Sequence, residues 1–133
     1  MKIFDSNDGG WAQKVNFVDD NNVLVGYDMG QSCCERADWF ITKEIATTYD
    51  YDGELSQPRD LDGWQFDPEF FQEVVLEARE HGYSALDAGG MVAFKLVKGK
   101  KVLYLHLFNS HNGYYGHGFT VTIGGKVVRE DSL

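Results

Sequence analysis

The sequence predicts an α+β domain, a mostly antiparallel sheet of about six or seven strands with one principal helix packed on it. Three observations carry this expectation. Short apolar alternations, punctuated by turn residues, run through the first and last thirds of the chain. One stretch, Asp67 to His81, instead repeats its apolar residues at helical spacing. The chain has 133 residues, 43% of them hydrophobic, enough to bury a core without metals or disulfides, so residues 1–133 read as one globular domain.

Taken in order, Asp5-Ser6-Asn7-Asp8-Gly9-Gly10 reads as a turn. Trp11 to Val18 reads as a strand with Val15 and Phe17 on one face and Asn16 on the other. Asp19-Asp20-Asn21-Asn22 is a turn cluster, because these side chains bond their own backbone and tolerate left-handed dihedrals. Val23, Val25 and Tyr27 then alternate against Leu24, which completes a hairpin. A turn at Asp28 to Ser32 leads to a strand over Ala37–Thr42 with Trp39 and Ile41 on one face. The first third therefore reads as a small antiparallel meander.

Residues 43–66 read as a long acidic connection containing Pro58. The helix follows. Asp67 suits an N-cap and Pro68 the first helical position, where no amide hydrogen is needed. Phe66 and Phe71 stand at the ends of a hydrophobic staple. Phe70, Phe71, Val74, Val75 and Ala78 form the apolar stripe, and Gly82 supplies the stop after His81. Val92, Phe94 and Leu96 alternate in the next strand, and Gly99 makes a turn. Lys101 to Phe108 is apolar on both faces, which marks a central strand. Phe119, Val121 and Ile123 alternate before a Gly124-Gly125 hairpin turn, and Val127 and Val128 begin a short edge strand.

The net charge of −9 disfavours nucleic acid, whose phosphates are bound by Lys and Arg, and disfavours anionic membranes. No apolar run approaches the roughly 20 residues that span a bilayer, and Met1-Lys2-Ile3-Phe4-Asp5 lacks a signal-peptide core. These features predict a cytoplasmic protein with reduced thiols and no strained disulfide between neighbouring Cys33 and Cys34.

Two segments stand out chemically. Cys33-Cys34-Glu35 holds the only cysteines, and Asn109-Ser110-His111-Asn112-Gly113-Tyr114-Tyr115-Gly116-His117-Gly118 concentrates Asn, His, Tyr and Gly. As plain structure, the second is a long hairpin loop between core strands. As a recognition loop, its Tyr rings and Asn amides give large contact area at modest entropy cost. Cys33, Cys34, His111 and His117 have the atoms of a zinc set, but zinc motifs separate paired cysteines by about two to four residues. Adjacent residues on an extended strand face opposite ways, so no metal or other cofactor is expected. The two Asp-x-Asp-Gly stretches fail as calcium loops: aligning Gly53 puts Thr48 first and Arg59 last, and aligning Gly63 puts Pro58 first. His106, on an apolar strand face, reads as a core histidine.

Gly30-Gln31-Ser32-Cys33-Cys34-Glu35 and Asn112-Gly113-Tyr114-Tyr115-Gly116-His117-Gly118 together resemble an uncharacterised family of small bacterial and phage domains. That family has a Cys-Cys-Glu motif after its first hairpin and an Asn-Gly-Tyr-Tyr motif before its last strands. The resemblance implies a bacterial or phage source and a shared site, without naming its chemistry. The expected function is a non-enzymatic binding domain for a protein partner or small ligand. Its expected site is Cys33, Cys34, Glu35, Asn109, His111, Asn112, Tyr114, Tyr115 and His117. The alternative is a cysteine- or metal-dependent enzyme pairing Cys33 or Cys34 with His111 or His117.

Overall fold

The computed structural model describes residues 1–8, 12–30, 36–47, 55–74, 90–110 and 116–133. Nine strands order these residues: β1 (Lys2–Asp8), β2 (Ala12–Val18), β3 (Val23–Asp28), β4 (Arg36–Thr42), β5 (Gln65–Glu73), β6 (Gly90–Lys98), β7 (Lys101–Ser110), β8 (Gly118–Ile123) and β9 (Lys126–Ser132). They form two antiparallel sheets, β1-β2-β3-β8-β9 and β4-β7-β6-β5. The second has Greek-key order, with β4 returning beside β7 rather than beside β5.

The sheets face each other across one apolar layer. Val15, Phe17, Val25, Tyr27 and Phe119 of the first sheet meet Trp39, Ile41, Phe94, Leu105 and Leu107 of the second. Phe17 meets Trp39 edge-on with ring centroids 5.0 Å apart, and Phe119 meets Phe94 at 6.3 Å. Burying side chains of this size stabilises by about 1.5–3 kcal/mol each. These ring contacts set β2 over β4 and β8 over β6, while the Tyr27 hydroxyl of β3 reaches Phe108 O of β7 and Arg129 of β9 lies over the Phe71 ring of β5.

The protein is thus an all-β sandwich, and the expected α+β class with a packed helix is wrong. No helix occurs among the described residues. Asp67–Glu73, assigned above to the helix, lies in β5, while residues 75–82 fall outside the described residues. The local signal is real but serves another purpose. Asp67 Oδ1 accepts the Glu69 N–H at 3.1 Å, the bond an N-cap would make, and the chain then continues extended. Pro68 is tolerated because β5 is an edge strand and is irregular there. Phe66 and Phe71 do converge, but on Phe94 at 6.3 and 5.6 Å rather than as a staple.

Other expectations shift in smaller ways. Asp5–Asp8 lies in β1, not in a turn. The opening meander is β1-β2-β3, and β4 belongs to the opposite sheet. β7 and β8 also lie in different sheets, so the two strands do not pair as the expected hairpin. The remaining strands match: Val15 and Phe17 are buried, β7 is central and β9 is an exposed edge. Gly124 and Gly125 hold φ of +59° and +80°, as the tight turn requires.

A polar clamp ties the sheets at the end carrying the Asp19–Asn22 turn. The buried Asp19 carboxylate accepts the Asn21 and Val23 amides through Oδ1 and the Phe66 amide of β5 through Oδ2, each at 2.9 Å. The outer face of the second sheet carries a smaller cluster of Phe40, Met91 and Phe108, packed with Ala46, Leu55 and Val74. No helix among the described residues is long and apolar enough to cross a membrane.

Candidate functional site

The end of the sandwich opposite the Asp19 clamp is where both motif segments attach. β4 begins at Arg36, directly after residues 31–35, and β7 ends at Ser110, directly before residues 111–115. Arg36 and Ser110 are register partners, and Ala37 pairs with Asn109. Across the sandwich, β3 ends at Asp28 and β8 starts at Gly118, with Tyr27 opposite Phe119. The strand ends that carry both segments therefore meet at one end of the fold.

Cys33, Cys34, Glu35, His111, Asn112, Tyr114 and Tyr115 lie outside the described residues. Asn109 and His117 lie within them, and both are buried. Asn109 follows Leu105 and Leu107 on the inner face of β7, since alternate residues share a face. Its Nδ2 donates to the Leu133 main-chain oxygen at 2.9 Å. The same oxygen accepts the His117 N–H at 2.9 Å, and the Leu133 N–H donates back to His117 O at 2.8 Å. Leu133 thus links the two candidates through its backbone.

The His117 ring is oriented by Asp28. Its Nδ1 lies 2.8 Å from the Asp28 carbonyl oxygen, which can only accept, so Nδ1 carries the proton. Tyr27 stands edge-on to the ring at 6.5 Å, and its hydroxyl donates to Phe108 O at 2.7 Å. Burial, and then the negative charges of Asp38 and Asp28, push the Tyr27 phenol well above its ordinary range. It stays protonated as a fixed donor.

The described part of this site is a buried, hydrogen-bonded frame. Its polar side chains bond main-chain groups in both sheets and hold strand ends together. Among the described residues no group of three or more His, Cys, Asp or Glu side chains converges as a metal site. Sequence reading missed Tyr27, Asp28 and Leu133 as members of the frame. The alternation of β3 marked Tyr27 as core, and nothing local reveals that its hydroxyl reaches a carbonyl 81 residues away.

His106 is not part of this end. It projects from the outer face of β7, fully buried, stacked on Phe40 with ring centroids 4.4 Å apart. Its Nε2 accepts the Ala46 N–H at 3.0 Å, which places the proton on Nδ1, where it has no hydrogen-bond partner. Burial holds its pKa down at about 4, with the nearby Phe40 and Tyr104 backbones pulling weakly the other way. It is a neutral core histidine, as its strand position predicts.

No protein-family model, curated protein or solved structure matches this chain.

Proposed function

We propose that this chain is a non-enzymatic binding domain whose recognition surface is the end of the sandwich carrying residues 31–35 and 111–115. The observation that supports it best is the pairing of Arg36 with Ser110, which roots the two chemically distinctive segments on neighbouring strands. Loops held on a rigid sandwich are a common way to build a binding face. The frame beneath favours binding over catalysis: Tyr27, Asn109 and His117 each bond backbone groups, an arrangement suited to holding loops still.

In this reading Tyr114 and Tyr115 supply apolar contact area and Asn112 supplies hydrogen bonds to a protein partner. Asn109, being buried, anchors the loop instead of touching the partner. Cys33, Cys34 and Glu35 complete the proposed surface, in a cytoplasmic setting where the thiols stay reduced. The resemblance of the paired motifs to bacterial and phage domains points the same way and directs the search for a partner to bacterial extracts.

The test is cross-linked capture from bacterial extract by the wild-type chain, by the Tyr114→Ala/Tyr115→Ala variant and by Lys100→Ala, which alters the turn at the opposite end. The partner should be lost with the double-tyrosine variant and kept with Lys100→Ala, with unfolding midpoints unchanged. Equal capture by all three, or unfolding of the double-tyrosine variant, would remove the basis for this surface.

A further inference from the structure

A second site lies away from the loop end, along the seam between edge strands β5 and β9. An open cleft of about 240 Å³ runs there. Phe66, Phe71, Phe94, Val121, Ile123 and Val128 supply much of its apolar lining, and Asp67, Glu69 and Arg129 supply its charges. Both ladder irregularities among the described residues border this one cleft. Between the pairs Phe66–Leu96 and Phe71–Phe94, β5 sets Asp67, Pro68, Glu69 and Phe70 against Lys95 alone. Between the pairs Val121–Arg129 and Thr122–Val127, β9 carries Val128 as an extra residue. Bulges re-aim side chains and gather beside binding sites, and here they put Val128 and Arg129 together on the cleft.

The charges narrow the ligand. The Arg129 guanidinium lies 3.8 Å over the Phe71 ring. Arg59 with Asp5 is the one ion pair among the described residues, so Arg129 has no carboxylate partner there, in a chain with 21 Asp and Glu. The net charge of −9 repels a simple anion at long range, and a simple cation drawn to Asp67 and Glu69 leaves Arg129 without a counter-charge. A neutral zwitterion meets neither penalty. Its carboxylate can take Arg129 and its ammonium can take Asp67 or Glu69. The volume is below the roughly 300–1,000 Å³ of sites for drug-sized molecules, so the apolar part is about one large side chain.

We propose that the β5–β9 cleft binds an apolar α-amino acid or short apolar peptide, its side chain inserted between the sheets and its charged ends held by Arg129 and by Asp67 or Glu69. The proposal is independent of the loop-end surface.

The test is titration of isotope-labelled protein, followed by NMR, with L-phenylalanine, its N-acetyl form, its amide and phenylalanyl-phenylalanine. Saturable shifts should appear at Val25, Phe71, Val121 and Arg129. The acetylated and amidated forms should each bind about tenfold weaker than the zwitterion, the loss of one charge-assisted contact. Arg129→Gln should weaken L-phenylalanine about tenfold without weakening the cationic amide, and Arg129→Lys should restore part of the loss. Tighter binding of the dipeptide would assign the ligand to peptides, and tighter binding of the free amino acid to amino acids. Equal binding of either blocked form and the zwitterion would overturn the proposal, as would no saturable shift with any probe.

Discussion

Replacing His106 by leucine should change the pH dependence of stability far more than stability itself. The neutral ring gives one hydrogen bond to the Ala46 N–H and buries an Nδ1–H without a partner. Leucine loses the first and removes the second. Each effect is worth about 1–3 kcal/mol, so near neutral pH they largely cancel. The charged form is another matter. The folded-state pKa is held down at about 4 against an ordinary 6.5. The unfolded chain therefore binds more protons between those values, and wild-type stability falls as pH drops through that window. At about 1.4 kcal/mol per pKa unit, the loss reaches about 3 kcal/mol by pH 4 and then levels off. Urea unfolding followed by tryptophan fluorescence, at steps from about pH 7.5 down to about pH 4, measures this for both proteins. Subtracting the Leu variant removes the shared carboxylate titrations. The difference should shift by about 3 kcal/mol in favour of the variant as pH falls. Parallel curves would mean that His106 titrates normally and that its burial and stacking have been misread.

Asp19→Ala should destabilise by about 3 kcal/mol in urea unfolding, because three main-chain donors lose a charged acceptor and the buried Phe66 amide is left without one. Asp19→Asn should recover part of this, since one acceptor oxygen remains. Gly125→Ala should cost about 1 kcal/mol in thermal unfolding, from the φ of +80° alone, because an added Cβ meets nothing within 4 Å. A larger loss would place an unrecognised contact at that turn.

Most strands were legible because their signals are local. Val15 and Phe17, then Val23, Val25 and Tyr27, alternate about a turn whose Asp19 bonds its own backbone. Gly124-Gly125 fixes a hairpin by its positive φ values. The errors came where distant contacts decide. Asp67-Pro68 carries a helix-start pattern, and its first hydrogen bond does form. The outcome is settled by Asp19, 47 residues away, which takes the Phe66 amide, and by Phe94, which receives both Phe66 and Phe71. β1 left no apolar signal because it is an edge with polar residues and an exposed Phe4. The assignment of β4 to the second sheet has no local mark, since alternation reports a buried face and not which sheet owns it.

The site shows the same division. Asn109 and His117 were visible as unusual residue types in an unusual run, and both lie in the frame at one end. Their shared contact, the Leu133 backbone, and the Tyr27 bond to Phe108 are products of topology. Arg129 carried no signal either, because its position over Phe71 depends on a bulge that alternation cannot reveal.

The claim that one end of the sandwich is the recognition surface is tested most directly by chemical-shift mapping of the labelled chain with its captured partner. The largest changes should fall on Gly30, Arg36, Asn109, Ser110, Gly116 and His117, which flank or anchor the two motif segments, and Gly99, Gly124 and Gly125 at the far end should stay unmoved. Changes concentrated at the far end or along exposed β1 would contradict it.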